Sequence, residues 1–426
     1  NRLPTMKKIL PILMILALTL GSCKQAPVEW VDGGDFSTLD PKKSFIPYNS
    51  VENTVNEQTV SACPLPSEGE NVDTRTTSVG ALTVIKQLFG TMFSGKVRSY
   101  CGTYWSVDEK GEPVKLSGRI ILPSNGKVSR IMVASHFTIG RYDEAPTMSL
   151  PLECLFAIDG LAVICPDYLG YGVTSHRIHP YLCTELTARN VVDMYFAALP
   201  FLEHIGSAPQ YPDIFLFGYS QGGAATLAVQ QYFEENHPND VQIRLNMAGS
   251  GPYDVATTYD VLIEQDYTDF PCAIPMLIQG LNVGDNLGLD YKEFFKPFLL
   301  ENYEEWINSK QYTMGQITQF IGTKKISEVL TEKARNKAND GTITLYKSMI
   351  NNSICNSFIP ISPVYLFHSF DDNVVPYENS AALMEVLNYY QLSNVKTNFG
   401  HYGGHTNGFV RFLFTTVSML KDNGDL

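Results

Sequence analysis

Residues 214–222 read Ile-Phe-Leu-Phe-Gly-Tyr-Ser-Gln-Gly, and this stretch decides the fold of the chain around it. Its first four residues predict a buried β-strand, and the alanine-rich run at 224–231 predicts a helix that begins almost at once. Gly218 and Gly222 lack Cβ atoms, so strand and helix can pass close together. The pattern predicts a sharp turn with Ser220 in a strained conformation and its hydroxyl accessible. A glycine turn with an incidental serine remains the alternative.

A strand, the motif G-x-S-x-G and a helix in succession are typical of the nucleophile elbow of α/β-hydrolases. A second segment resembles another part of the same fold. The apolar run at 364–368 is followed by Ser-Phe-Asp-Asp-Asn-Val-Val-Pro at 369–376. This resembles the G-x-x-D-x-x-V-P turn that carries the acid in that fold, with serine in place of the usual glycine. Alignment on Val-Pro selects Asp372 and leaves Asp371 as its neighbour. One of the two aspartates can also cap the helix predicted from about Tyr377.

Two histidines precede the last predicted helix, in Asn-Phe-Gly-His-Tyr-Gly-Gly-His at 398–405. In α/β-hydrolases the base follows the last strand, and His405 fits that position better than His401. Two histidines four residues apart also occur in zinc-binding helices. The glycine pair between them disfavours a helix, and H-E-x-x-H would need a glutamate after His401. We therefore predict no metal and no other cofactor.

Serine, aspartate and histidine act together for a chemical reason. A serine hydroxyl is a poor nucleophile until a neutral imidazole accepts its proton. A buried carboxylate on the other ring nitrogen fixes the tautomer and stabilises the imidazolium. The chain order Ser220, Asp372, His405 is the order of α/β-hydrolases.

The negative charge of a tetrahedral intermediate needs backbone donors, which together form an oxyanion hole. We expect one donor to be the N–H of Gln221, the residue after the serine. The other should come from the loop after the strand predicted at 129–136, from Phe137 or Thr138.

Further segments extend the resemblance to secreted bacterial and fungal lipases and esterases. They are Ser-His-Phe-Thr at 135–138, Asp-Tyr-Leu-Gly-Tyr-Gly at 167–172 and His-Pro-Tyr-Leu at 179–182. The similarity covers roughly residues 97–420 and departs at Phe137, where the family has glycine. It implies an α/β-hydrolase fold, and the alternation of predicted strands and helices likewise indicates a mostly parallel sheet with helices on both faces.

The amino-terminal residues resemble a bacterial lipoprotein signal. Met-Lys-Lys at 6–8 precedes an apolar run at 9–20 that is too short to span a bilayer, and Leu-Gly-Ser-Cys follows at 20–23. The resemblance implies that residues 1–22 are a signal peptide and that Cys23 is lipidated. The expected location is the bacterial cell envelope, on a lipid anchor. An ordinary signal peptide with an incidental cysteine is the alternative.

The remainder divides into a polar segment and one enzyme domain. Residues 23–80 are rich in polar residues and predict a tether, although a few aromatic residues within it could pack. Residues 81–426 are predicted to form the hydrolase domain. About a hundred residues with a mostly helical pattern, about 250–360, are inserted before the strand that leads to Asp372. The position of this insertion predicts a cap over the serine. Most cap aromatics should form its own core, and a few should face the substrate.

Charge and cysteine content constrain the partners. A net charge of −13 disfavours nucleic acids and anionic membrane surfaces as direct partners. Of eight cysteines, seven besides Cys23 would lie in a compartment that permits disulfides. Cys165 lies in an apolar strand, so we predict that it is a buried free thiol. Three pairs are candidates for disulfides: Cys272–Cys355, Cys63–Cys101 and Cys154–Cys183.

Together these features predict a lipid-anchored serine hydrolase that cleaves carboxylic esters of small molecules or lipids. A peptidase or an acyltransferase can use the same three residues, so both remain alternatives. A third alternative is a binding protein on the same scaffold without activity. The presence of all three residues argues against it.

Overall fold

The computed structural model describes residues 35–55 and 95–426, with side chains from 35–48 and 95–426. Nine strands in these ranges form a single sheet. They are β1 (Ile46–Val55), β2 (Gly95–Val107), β3 (Pro113–Pro123), β4 (Ile131–Ser135), β5 (Ala162–Pro166), β6 (Asp213–Tyr219), β7 (Gln242–Gly249), β8 (Val364–Ser369) and β9 (Val395–Gly400). Their spatial order is β1-β2-β3-β5-β4-β6-β7-β8-β9.

Twelve α-helices lie in the same described ranges. Five belong to the sheet-bearing part of the chain: α1 (Cys154–Ile158), α2 (Thr184–His204), α3 (Gln221–Asn236), α11 (Tyr377–Tyr389) and α12 (His405–Asp422). Seven lie between β7 and β8: α4 (Val255–Gln265), α5 (Ala273–Gly284), α6 (Pro297–Tyr303), α7 (Met314–Ile321), α8 (Ile326–Val329), α9 (Glu332–Asn336) and α10 (Asp340–Asn351). No helix of the described ranges has the length and apolar character needed to cross a membrane.

The sheet is antiparallel at one edge and parallel elsewhere. β1, β2, β3 and β5 pair antiparallel in that order, whereas β5, β4, β6, β7, β8 and β9 pair parallel. After β5 the chain crosses to the other side of β4 to form β6, and β4 and β6 are neighbours with Ser135 opposite Gly218. A ligand site is expected outside the carboxyl ends of strands where the order reverses in this way.

Helices cover both faces of the sheet, as the sequence predicts. On β4, Ile131 and Val133 belong to the core shared with α2 and α3. The alternate residues Met132 and Ala134 belong to the core shared with α1 and α12. Successive side chains of a strand point to opposite faces, so a strand buried on both sides is apolar throughout. The predicted α/β-hydrolase fold is confirmed.

Strand β1 lies within 23–80, the segment predicted to be a tether. It pairs with β2 from Ile46 opposite Thr103 to Val55 opposite Gly95. Just before it, the ring of Phe45 is fully buried and lies 5.3 Å from the ring of Phe201. The tether prediction is therefore wrong for β1, whose backbone pairs with β2, whereas the buried Phe45 ring agrees with the expectation that aromatic residues of this segment could pack.

The helices between β7 and β8 pack around a separate core, which also includes Tyr181, Leu182 and Cys183 of the segment before α2. Phe294 and Leu299 are fully buried in it, and Phe295 is 1 % exposed. These cap residues therefore pack against one another, as the sequence predicts for most of the aromatics. The cap also contacts the domain, since the N–H of Tyr142 donates to the carbonyl of Lys310 over 2.9 Å.

The cysteines of the described ranges are free, including Cys165, which is buried as predicted. The Cys272–Cys355 and Cys154–Cys183 pairs are wrong, because the two members of each pair lie in different hydrophobic cores. A disulfide needs Cα atoms within about 7 Å of each other. Cys101 is likewise a free thiol, and its proposed partner Cys63 lies outside the described residues.

Candidate active site

The turn after β6 has the predicted strained conformation. Ser220 has φ 58° and ψ −125°, a region that residues other than glycine rarely occupy. A Cβ atom on Gly218 would lie 2.0 Å from the carbonyl oxygen of Gly222, and one on Gly222 would lie 2.0 Å from that of Ser135. Only glycine fits at these two positions. The turn therefore holds the Ser220 side chain beyond the carboxyl end of the strand.

The structure brings Ser220, His405 and Asp372 together from three separate parts of the chain. Ser220 Oγ lies 2.8 Å from Nε2 of His405, and Nδ1 of His405 lies 2.6 Å from Oδ2 of Asp372. His405 is the first residue of α12 and therefore belongs to the helix that the sequence predicts to follow both histidines. This arrangement can transfer a proton from the serine to the imidazole while the carboxylate holds the ring.

The carboxylate of Asp372 is buried and fully hydrogen-bonded. Its Oδ1 accepts from the N–H groups of Val374 and Val375, each over 2.9 Å. Burial alone would raise the pKa of Asp372, but the charge of His405 and contacts with His368 and His405 lower it. The net result is a pKa well below the usual value, so the group is ionised at neutral pH.

The neighbouring aspartate has a different partner. Asp371 Oδ1 lies 2.8 Å from Nδ1 of His401, and their side chains are 41 % and 77 % exposed. Asp371 Oδ2 also accepts from the N–H of Gly403 over 3.1 Å. Asp371 and His401 thus form a surface pair that holds the loop leading to His405, apart from the serine.

Ser369 occupies the position of the glycine in the G-x-x-D-x-x-V-P turn, and its hydroxyl forms hydrogen bonds that a glycine could not. It donates to the carbonyl of Gly403 over 2.6 Å and accepts from the N–H of Tyr402 over 3.1 Å. The hydroxyl therefore ties the end of β8 to the loop that carries the histidine.

The predicted oxyanion residues follow the ends of two neighbouring strands, β6 and β4. Gln221 is the first residue of α3, where a backbone N–H has no acceptor within the helix. Phe137 and Thr138 follow β4, which is the immediate neighbour of β6. The ring of Phe137 lies 5.6 Å from that of Phe409 on α12. Which N–H donates to an oxyanion stays a prediction.

Beside these residues lie two buried side chains to which the sequence assigns no role. Nε2 of His179 lies 2.7 Å from the amide nitrogen of Gln221, and the hydroxyl of Tyr181 lies 2.8 Å from Oγ1 of Thr138. Both belong to the His-Pro-Tyr-Leu segment at 179–182, which is part of the resemblance to secreted lipases and esterases. Their place in that segment is the signal that the sequence offers, because their burial is visible only in the structure.

A cavity of about 290 Å³ lies between the cap and the domain. Polar and apolar side chains share its wall, among them His179, Tyr181, Met276, Gln279 and Lys310. The Lys310 ammonium donates to the carbonyls of Gly170, Ser175 and Arg177, and burial lowers its pKa to about 8. Carbonyl groups of the protein thus already satisfy the charge of Lys310. These hydrogen bonds connect the cap to the loop after β5.

The fold and the comparisons with known proteins define a carboxylic-ester hydrolase of the α/β-hydrolase superfamily. The chain belongs to the secretory lipase family, whose model matches residues 148–410. None of the curated proteins compared with the chain matches it.

Solved structures share the fold at low sequence identity. The esterase LipA from Xanthomonas oryzae, described as rice cell wall degrading, has a TM-score of 0.69 and 18 % identity, over 89 % of this chain and 97 % of that one. A protein from Legionella pneumophila has a TM-score of 0.70 and 18 % identity, over 89 % and 98 %. Candida antarctica lipase A in its closed state has a TM-score of 0.58 and 14 % identity, over 77 % and 78 %.

Proposed function

We propose that the protein hydrolyses carboxylic esters through an acyl-enzyme on Ser220. Ser220 Oγ attacks the ester carbonyl while Nε2 of His405 takes its proton, and the same proton then passes to the departing alcohol. A water molecule, deprotonated by His405, then attacks the acyl group. The bond to Ser220 Oγ breaks, His405 returns the proton to Oγ, and the acid is released. Asp372 keeps Nδ1 of His405 protonated throughout. The 2.8 Å and 2.6 Å contacts of His405 carry this proposal.

The oxyanion of each tetrahedral intermediate would be held by two backbone donors. We assign one to the N–H of Gln221 and the other to the N–H of Phe137 or Thr138. Loss of one such donor typically costs about 3 kcal/mol of transition-state stabilisation. The side-by-side position of β4 and β6 supports this assignment.

Part of the substrate would lie under the cap. Two residues of the cavity wall, His179 and Tyr181, contact the side chains of Gln221 and Thr138, whereas the wall includes neither Ser220 nor His405. Its mixed lining suits an ester with both an apolar and a hydrogen-bonding portion.

The test compares Ser220→Ala with wild type on p-nitrophenyl esters of increasing chain length and on an aminoacyl-naphthylamide. We expect Ser220→Ala to lower kcat by about 10⁴-fold or more and to abolish labelling by a fluorophosphonate. Ser418→Ala, on the exposed side of α12, is the matched control and should behave as wild type. Turnover and labelling by Ser220→Ala would contradict the assignment. Faster cleavage of the naphthylamide than of every ester would favour a peptidase.

We also propose that the protein works outside the cytoplasm on a lipid anchor at Cys23. The secretory lipase family supports an extracellular or envelope location. The anchor depends on Leu-Gly-Ser-Cys at 20–23, which lies outside the described residues. Several acyl chains would anchor the protein stably, whereas a single chain binds membranes only marginally.

Partitioning in a two-phase detergent extraction tests the anchor. Wild type should enter the detergent phase, and Cys23→Ser should move to the aqueous phase or remain unprocessed while the folded domain keeps its activity. Cys63→Ser is the matched control and should partition as wild type. Unchanged partitioning of Cys23→Ser would contradict the anchor.

A further inference from the structure

The three-residue segment His179-Pro180-Tyr181 contacts both sides of the proposed oxyanion hole. On one side, His179 Nε2 lies 2.7 Å from the side-chain amide nitrogen of Gln221. On the other, the Tyr181 hydroxyl lies 2.8 Å from Oγ1 of Thr138. His179 and Tyr181 are each 6 % exposed, and Gln221 is 3 % exposed. The His179–Gln221 contact is thus shielded from competing water, and the Tyr181–Thr138 contact is shielded on the tyrosine side, since Thr138 is half-buried.

The His179 ring has a defined tautomer. Nδ1 lies 2.7 Å from the carbonyl oxygen of Leu169, so Nδ1 carries the hydrogen and Nε2 accepts from the Gln221 amide. Burial lowers the pKa of His179 to about 3, and the nearby His136 and Lys310 also lower it, against the bond to Leu169. The ring therefore stays neutral and keeps the lone pair that Gln221 needs.

The segment itself has little freedom to move. The His179 ring stacks on that of Tyr168, with centroids 5.9 Å apart and planes within 7°. Backbone lies close on two sides: a Cβ atom on Gly170 would be 2.5 Å from Cα of His179, and one on Gly280 of α5 would be 2.3 Å from the nitrogen of Tyr181. Between the two side chains, Pro180 has a restricted φ. One rigid element thus contacts Gln221 and Thr138, on the two sides of the proposed oxyanion hole.

We propose that His179 and Tyr181 are positioning residues that hold the two sides of the oxyanion hole at a fixed separation. Oxyanion donors act only when they lie about 3 Å from the developing charge, so a small shift of either side weakens both contacts to it. His179 restrains Gln221 and Tyr181 restrains Thr138, and neither touches the reacting atoms. This inference rests on the proposed function, which assigns one donor to Gln221 and the other to Phe137 or Thr138, and it concerns the Thr138 side of that loop.

The experiment separates positioning from substrate binding, because both side chains also line the cavity. The variants are His179→Leu, His179→Gln and Tyr181→Phe. Each is assayed for kcat and KM on one p-nitrophenyl ester and for affinity towards a trifluoromethyl ketone, whose serine adduct carries an oxyanion. Tyr259→Phe is the matched control, a buried cap tyrosine whose hydroxyl donates to the carbonyl of Ala334. Thermal unfolding shows which variants are folded.

We expect His179→Leu and Tyr181→Phe to lower kcat by about tenfold to a hundredfold, somewhat less than the loss of a whole donor. Affinity for the ketone should fall by the same factor, with KM within about threefold of wild type. His179→Gln places an acceptor near the position of Nε2 and should recover most of kcat. Tyr259→Phe should match wild type.

Two results would overturn the proposal while leaving the proposed function intact. One is unchanged kcat in folded His179→Leu and Tyr181→Phe, including the case where only KM rises. The other is a lower kcat with undiminished affinity for the ketone. If wild type forms no adduct with the ketone and Ser220→Ala remains active, the proposed function itself fails, and this inference fails with it.

Discussion

Nδ1 of His405 lies 2.6 Å from Oδ2 of Asp372 in a nearly closed environment, with side chains 10 % and 0 % exposed. One residue before the aspartate and four before the histidine, Asp371 and His401 form a second pair of similar length on the surface. An exposed ion pair contributes at most about 1 kcal/mol, because water competes with it. The two histidine–aspartate contacts are thus similar in length, but the buried one is expected to contribute more free energy than the exposed one.

Removing either histidine tests this difference. His405→Ala should lower kcat by several orders of magnitude, about 10⁴-fold or more, because the serine then keeps its proton. His401→Ala should change kcat by less than about tenfold, since it loses only a surface pair. Steady-state kinetics on one ester, with thermal unfolding as a folding check, gives the comparison. If His401→Ala inactivates the folded enzyme while His405→Ala remains active, the roles of the two histidines are exchanged.

The two aspartates offer a matched pair of isosteric substitutions. Asp372→Asn should lower kcat by about 10⁴-fold, because an amide favours the wrong imidazole tautomer at His405. Asp371→Asn keeps a group that can still accept from the N–H of Gly403, so kcat should fall by no more than about tenfold. The measurement is kcat near neutral pH for both proteins. Equal losses in the two variants would show that the carboxylates share one function.

The neutral, buried His179 should make the fold sensitive to moderate acid. Its folded pKa is about 3, and the unfolded value is about 6.5. Between these values the unfolded chain binds a proton at this side chain that the folded protein does not. The free energy of unfolding therefore falls as pH falls below about 6.5, by up to about 1.4 kcal/mol per pH unit.

Denaturant unfolding at several pH values from 7 to 4 measures this loss. His179→Gln should show a shallower decline than wild type, while His136, whose pKa burial also lowers, continues to contribute in both proteins. His176→Gln, at an exposed position, is the control and should decline in parallel with wild type. Equal slopes for His179→Gln and wild type would contradict the buried neutral ring.

The free cysteines should react only after unfolding. Burial raises the pKa of Cys154, Cys272 and Cys355, each to about 12, so the reactive thiolate is scarce in the folded protein. Alkylation with iodoacetamide, read peptide by peptide by mass spectrometry, should modify these residues in denaturant and not in native buffer. A cross-linked Cys272–Cys355 peptide before reduction would contradict the structure.

Local patterns in the sequence determined the elements of the fold and the positions of the candidate site residues along the chain. At 214–231, apolar residues, two glycines and an alanine-rich run predicted strand, strained turn and helix, because each signal acts over a few residues. The apolar run at 364–368 and the proline after it predicted the acid turn in the same way. Comparable motifs placed Ser220, Asp372 and His405 in the order of the fold.

Only the tertiary structure decided which distant groups meet. Asp371 and Asp372 are adjacent and chemically identical in sequence, and the direction of the turn after β8 gives one to His401 and the other to His405. Strand β1 was hidden in a polar segment because its pairing partner lies some fifty residues away. The disulfide pairs failed for the same reason, since spacing along the chain does not show which hydrophobic core a thiol enters. Contacts between strand ends, loops and cap depend on the packed arrangement of the whole domain, and no local pattern encodes them.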